Sequence, residues 1–194
     1  MRWAGVCVGA PLILRTSLAL LGSRAPASAS RTRLRGMSTA TFEALGVVDA
    51  GSRPVDAAAL AGKRVGLYFA AGWCPMCTGF EPSLLQFKAA TESAEASASP
   101  VELILVSSDG SEEAAKTRAE ALGLLRVDYA AAAGLKTRFR IWAGRERPDF
   151  GDGRRSGVPA IVVLKGAELD ELAFLPAEAE GAKALGAWPD EGAW

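Results

Sequence analysis

Apolar residues fall into runs separated by glycine-rich and charged segments, and the runs predict strands. Three of the runs carry almost no polar residue, as expected for strands that are covered on both faces of a sheet. A fourth run follows a Gly-Ala turn, and two shorter ones flank a Gly-Ser turn. The predicted strands lie at residues 65–71, 101–106, 160–164 and 171–174, with the two shorter ones at 45–50 and 53–56.

Helices are predicted where a capping residue or a proline precedes a helix-compatible segment. The first begins near Cys74, with Pro75 in its first turn, where the missing N–H costs nothing; it extends to about Ala90 and contains Pro82. The others lie at 56–62, 111–122, 130–139 and 177–185, and residues 143–156 form a charged, glycine-rich loop. This alternation predicts an α/β fold around a mixed sheet, with the first two long strands parallel.

The N-terminal region differs in charge from the rest of the chain. Residues 1–42 contain six arginines and no acidic residue, which is typical of an organelle transit peptide. We therefore predict a cleavable, disordered targeting segment at 1–37 and one domain at 38–194, with the mitochondrion favoured over the plastid. A secretory signal is the alternative, although Arg15 splits its apolar stretch. A start at Met37 would give a cytosolic form.

Composition excludes several classes of function. With 194 residues, 49% of them hydrophobic, the chain can bury the core of one domain. All 22 acidic residues but only 16 of the 22 basic ones lie after residue 42, so no nucleic-acid partner is expected. No run of about 20 apolar residues exists, so no membrane span is expected. The absence of histidine excludes Ser-His, Cys-His and His-metal chemistry within the chain.

Two of the three cysteines, Cys74 and Cys77, lie three positions apart at the predicted start of a helix. The N-terminus of a helix carries roughly half a positive charge, which favours the thiolate that attacks other disulfides. We predict that Cys74, at the exposed end, is the nucleophile and that Cys77, one turn further in, resolves the mixed disulfide. The alternatives are half of a zinc site and a structural pair. Zinc requires four ligands, so no metal is expected.

The motifs around this pair resemble those of the thioredoxin superfamily. They are the segment 73–77 (WCPMC), Pro82 five residues after the second cysteine, and 157–159 (GVP) before a buried strand. Within the superfamily the chain is most similar to the tryparedoxin and nucleoredoxin group, through 79–82, 106–109 and 187–189. The resemblance covers about residues 45–190. It implies a thioredoxin fold, a central mixed sheet flanked by helices on both faces.

The resemblance also implies a substrate site around the pair. The family's cis-proline loop faces its cysteines, so Pro159 is expected to be cis and Val158 to pair with a substrate strand. An ordinary turn proline is the alternative. Trp73 shields the pair and offers a flat apolar surface, and Pro75 completes the predicted substrate-binding residues.

Several positions depart from the family pattern. Tyr68 stands where thioredoxin has a buried aspartate, so the route of the Cys77 proton is open. Thr78 replaces a basic residue and Met76 a proline, which leaves the redox potential undetermined. Glu81, four residues after Cys77, is either a proton acceptor or a solvated charge, and the sequence favours the second interpretation.

We predict a monomeric thiol–disulfide oxidoreductase that reduces or exchanges disulfides in protein partners. No glycine-rich dinucleotide fingerprint is present, so no cofactor is expected and an external dithiol or a thioredoxin-type reductant must recycle the pair. The rival functions are a non-catalytic binding module of nucleoredoxin type and, less favoured, a peroxidase. Six arginines between 138 and 155 could attract an acidic partner or a small anionic thiol, although a solvated loop is the simpler interpretation.

Overall fold

The computed structural model describes residues 41–93, 99–166 and 168–189 of the chain, and a five-stranded sheet runs through them. Its order is β3-β2-β1-β4-β5; β1, β2 and β3 are mutually parallel, and β4 is antiparallel to β1 and to β5. The strands are β1 (Arg64–Ala70), β2 (Val101–Ser107), β3 (Leu125–Arg126), β4 (Ala160–Lys165) and β5 (Asp170–Leu175). The sheet is mixed, and the predicted thioredoxin fold is confirmed.

Helices connect the strands and cover the sheet. They are α1 (Pro75–Glu92), α2 (Glu112–Leu122), α3 (Ala132–Phe139), α4 (Arg147–Phe150) and α5 (Ala177–Glu180). Turns of 3-10 helix lie at Phe42–Leu45, Ala57–Leu60, Gly144–Glu146 and Gly181–Ala187. All seven residues of β1 are buried, so the centre of the sheet is covered on both faces. Among the described residues, no helix has both the length and the apolar character that crossing a membrane requires.

Three local predictions were wrong. The strands expected at 45–50 and 53–56 are reduced to isolated bridges, in which Val48 pairs with Pro54 and with Arg126. The short strand β3 was not predicted, because two residues carry too little periodicity to be recognised. The loop expected at 143–156 contains two helical turns, at Gly144–Glu146 and Arg147–Phe150. The targeting segment predicted at 1–37 and the start at Met37 lie outside the described residues.

Close packing against the sheet explains one glycine of β1. A Cβ atom at Gly66 would lie 2.6 Å from Cη2 of Trp188 and 3.1 Å from Cγ2 of Ile161. Trp188 is buried and its ring also packs against Phe87, with centroids 5.4 Å apart. Gly66 therefore leaves room for the tryptophan that closes the C-terminal part of the domain over the sheet.

Candidate active site

The cysteine pair lies at the turn that leads from β1 into α1. Cys74 is the N-cap of α1 in an extended conformation, and Pro75 occupies the first turn as predicted. The turn is held from two sides: the Cys74 N–H donates to the Ala71 carbonyl at 3.2 Å, and the Gly72 N–H donates to Oδ1 of Asp109 at 2.8 Å. The end of β1 and the Asp109 carboxylate together fix where α1 begins, and they therefore position its first residues.

The two thiols are free and in contact with each other. Sγ of Cys74 accepts a hydrogen bond from the Cys77 N–H at 3.4 Å. Cys74 is only 6% exposed and Cys77 is fully buried, so the expectation that Cys74 lies exposed at the helix end was too simple. Burial, followed by the hydrogen bond between the two thiols, raises the pKa of Cys77 far above its usual range. Cys77 therefore stays protonated until an acceptor takes its proton.

The loop before β4 reaches the first thiol. The Val158–Pro159 peptide bond is cis, as the family resemblance implied, and Sγ of Cys74 lies 3.6 Å from the Val158 carbonyl oxygen. The Val158 N–H has no hydrogen-bond partner among the described residues. Glu178 of the C-terminal segment holds the loop, because its Oε2 accepts the Gly157 N–H at 2.5 Å. A backbone edge is thus presented beside the nucleophile.

Two large apolar side chains of the motif face solvent. Trp73 is 40% exposed and Met76 is 51% exposed, while nearly every other large apolar side chain of the described chain is covered. Each borders a groove: one of about 670 Å³ that includes Trp73 and Thr117, and one of about 320 Å³ that includes Met76 and Phe80. Exposed apolar side chains therefore stand on both sides of Cys74 in the motif.

A buried polar cluster lies below Cys77. Glu81 is only 5% exposed, accepts a hydrogen bond from the Tyr68 hydroxyl at 3.4 Å, and pairs with the Arg118 guanidinium. The interpretation of Glu81 as a solvated charge was wrong. Burial raises the pKa of Glu81 and outweighs the lowering by Arg118. The same burial, with the nearby charge of Glu81, raises the pKa of Tyr68 above its usual range.

Sequence spacing placed Glu81 on the face of α1 that carries Cys77, but nothing local indicated its burial. Its counter-ion Arg118 belongs to α2, which β2 separates from α1 along the chain. Nε of Arg118 is buried without a hydrogen-bond partner among the described residues, and Glu81 is the one carboxylate there that forms an ion pair with this guanidinium. Tyr68, singled out because it replaces an aspartate, contributes a hydroxyl to the same cluster.

The basic segment before the cis-proline loop is largely neutralised by its own neighbours. Trp142, which lies in this segment, is a buried packing residue. Arg145 differs, because its guanidinium lies over the Trp73 ring, 3.5 Å from the centroid. Sequence reasoning grouped it with the other arginines and missed this contact. No group of three or more potential metal ligands occurs within the described residues.

The raised pKa values of Cys77 and Tyr68 predict a loss of stability in alkali. The unfolded dithiol chain ionises Cys77 from about pH 9, whereas the folded chain does not. The contribution of Cys77 to the free energy of unfolding is therefore fully present below that pH and decreases as the pH rises, by about 1.4 kcal/mol at pH 10. Urea unfolding in a phosphine reductant at pH 7 to 10 measures the slope. A Cys77→Ala variant with the wild-type slope would contradict the assignment.

Fold and site together define a thioredoxin-fold protein with a dithiol at the start of its first long helix. A family model described as thioredoxin-like matches residues 62–167, more than half of the sequence, and the chain belongs to this family. The family's known members are thiol–disulfide oxidoreductases, which supports the same general class for this chain.

Individual relatives point to the tryparedoxins. Tryparedoxin II from Crithidia fasciculata superposes with a TM-score of 0.53 and 25% sequence identity, over 71% of this chain and 80% of that one. Tryparedoxin I from Leishmania major gives a TM-score of 0.55 at 24% identity, over 77% and 94% of the two chains. These matches confirm the predicted superfamily and its tryparedoxin-like group; the nucleoredoxin part stays a prediction.

A match in sequence alone is shorter. Tryparedoxin from Trypanosoma brucei brucei is 53% identical over 36 residues, which is 19% of this chain. The match spans only a quarter of the length of that relative. The activity, substrates and partners of the present chain are therefore proposals that rest on its own residues.

Proposed function

We propose that this chain reduces or exchanges disulfides in protein partners through Cys74 and Cys77. The observation that carries the proposal is the position of the Cys74 sulfur. It caps α1, accepts the Cys77 N–H and lies 3.6 Å from the Val158 carbonyl of the cis-proline loop. The sulfur stands at a helix N-terminus, where backbone N–H groups point towards it, and the partly open loop backbone beside it can receive an extended substrate segment.

The reaction has two steps that balance. The Cys74 thiolate attacks one sulfur of the substrate disulfide; a mixed disulfide forms, and the other substrate sulfur leaves as a thiolate that takes up a proton. Cys77 then loses its proton and attacks Sγ of Cys74, which releases the second substrate thiol. The substrate gains two electrons and two protons, and the chain is left with a Cys74–Cys77 disulfide. An external dithiol or a thioredoxin-type reductant returns it to the dithiol.

In this scheme the proton of Cys77 goes to Glu81. The two residues are four positions apart on one face of α1, both are buried, and they are close enough to interact electrostatically. A carboxylate whose pKa is raised by burial is a better proton acceptor than an exposed one. Arg118 balances the negative charge of Glu81 before the transfer, and the Tyr68 hydroxyl orients the carboxylate.

A trapping experiment tests the function and separates it from the binding-module alternative. In a full-length Cys7→Ser background, the Cys77→Ser variant keeps Cys74 as its single thiol. We expect it to accumulate mixed disulfides with disulfide-containing proteins, which dithiothreitol dissolves. The matched Cys74→Ser variant keeps only the buried Cys77 and should trap nothing. Partners that stay bound to both variants after complete reduction would contradict the enzymatic proposal and favour a binding module.

A further inference from the structure

Arg145 places a positive charge at the mouth of the candidate active site. Its guanidinium stacks on the ring of Trp73 at 3.5 Å, and Trp73 immediately precedes Cys74. Both side chains are exposed. A guanidinium that lies flat on an aromatic ring is attracted by the ring face and keeps the N–H groups on its edge available to a further partner.

Arg145 is the exception among the arginines of its segment. The five others each bond a carboxylate or a backbone carbonyl within the described residues. They are Arg138 with Asp170, Arg140 with Gly153, Arg147 with Asp152, Arg154 with Glu178, and Arg155 with Glu171. For Arg145 the described part of the chain supplies the Trp73 ring but no carboxylate. Its donors therefore remain available.

The backbone that carries Arg145 is firmly anchored beside the site. The neighbouring Glu146 accepts three hydrogen bonds: from Nζ of Lys136 at 2.6 Å, from Oγ of Ser108 at 2.8 Å and from the Ala143 N–H at 2.8 Å. The carbonyl oxygen of the same Ser108 accepts the Trp73 indole N–H at 3.0 Å. Arg145 and Trp73 are thus positioned by one shared set of hydrogen bonds, so little ordering is needed when a ligand binds.

We infer that Arg145 and Trp73 form a subsite for a carboxylate located next to the disulfide that Cys74 attacks. The planar fork of guanidinium donors matches the two oxygens of a carboxylate, and the Trp73 ring shields one face of the guanidinium from water. The inference rests on the proposed function and specifies its substrates. The carboxylate is supplied by an acidic residue beside the substrate cysteine, or by a small acidic disulfide of the glutathione type.

The test compares substrates that differ only in charge. Three disulfide-linked peptide pairs carry Glu, Gln or Lys next to each cysteine, and oxidised glutathione is paired with its uncharged ester. We expect full-length wild type to reduce the Glu peptide with a kcat/KM about 5- to 10-fold above that of the Gln peptide, with the Lys peptide lowest. A gain of the same sign for oxidised glutathione over its ester would extend the subsite to small disulfides, and a gain in peptides alone would assign it to proteins.

Variants assign the preference to one side chain. Arg145→Glu should invert the order of the Glu and Lys peptides, and Arg145→Lys should keep a reduced preference, since it retains the charge without the fork. Arg147→Glu is the matched control. It makes the same change of charge two positions away, on an exposed arginine that pairs with Asp152, and it should leave the preference within about 2-fold, as for ordinary screened surface charges.

The outcomes separate this inference from the function it rests on. Equal rates for all charge forms in wild type, or an equal shift in Arg145→Glu and Arg147→Glu, would overturn the subsite while leaving disulfide reduction intact. Failure of wild type to reduce any of the five substrates would instead count against the proposed function. Thermal unfolding of each variant verifies that the exposed substitutions leave the fold unchanged.

Discussion

Replacing Cys74 by serine is expected to lower the rate of disulfide reduction at least about 1000-fold. A serine hydroxyl stays protonated at neutral pH and does not attack disulfides, and the remaining Cys77 is fully buried and protonated. An insulin-type reduction assay with dithiothreitol as the recycling reductant measures the loss against the uncatalysed background. Cys7→Ser makes the same exchange of atoms outside the proposed site, and should leave the rate at the wild-type value.

The expected loss of rate in Cys74→Ser is large because the two thiols act in different steps. Of the two thiols that the structure describes, Cys74 alone retains a small exposed surface and contacts the loop that carries Val158, so Cys77 cannot take over the first step. Comparable reduction rates for Cys74→Ser and wild type would remove the mechanism proposed here.

Replacing Glu81 by glutamine should slow the second step, the release of substrate from the mixed disulfide, by about 10- to 100-fold. The first step, attack by Cys74, should change by no more than about 2-fold. In wild type the release rate should rise as the pH increases through the raised pKa of Glu81, because the carboxylate accepts a proton only after losing its own. In Glu81→Gln this acidic limb disappears. Rapid-quench measurements from pH 5 to pH 9 resolve the two steps.

Two further variants test whether Glu81 acts by proton transfer or through the fold. Tyr68→Phe removes a hydrogen bond that lowers the pKa of Glu81, so the acidic limb should move to higher pH. Glu102→Gln is the control for loss of an ion pair, since Glu102 pairs with Lys63 at 2.6 Å. An unchanged pH profile in Glu81→Gln, or the same slowing in Glu102→Gln, would exclude Glu81 as the acceptor. Urea unfolding of Glu81→Gln measures how far the loss of the Arg118 counter-ion destabilises the fold.

Local patterns explain what could be predicted from the sequence. The cysteine pair, Pro75 and the capped start of α1 are defined by residues that lie within a few positions of one another, and their arrangement follows from helix geometry alone. The central strands were recognised because burial on both faces demands uninterrupted apolar runs. Both features depend on short-range chemistry that a single sequence displays.

Contacts between distant segments explain what could not be predicted. Glu81 forms an ion pair with Arg118, and β2 separates the two residues along the chain. A carboxylate four residues after a cysteine has the same sequence pattern whether it is buried or solvated. In the sequence, nothing distinguishes Arg145 from the five other arginines of its segment. In the structure, the turn at Gly144–Glu146 places its guanidinium over the Trp73 ring. The bridges of Val48 replaced two predicted strands because pairing partners, rather than propensity, decide whether short segments form ladders.

The carboxylate that holds the cis-proline loop has a consequence for biosynthesis. Glu178 follows Cys77 by about a hundred residues along the chain. At typical translation speeds it leaves the ribosome roughly 5 to 20 s after the cysteines. During that interval the nascent polypeptide carries both cysteines but lacks the carboxylate that holds Gly157. The two thiols are therefore synthesised well before the cis-proline loop can be fixed beside them.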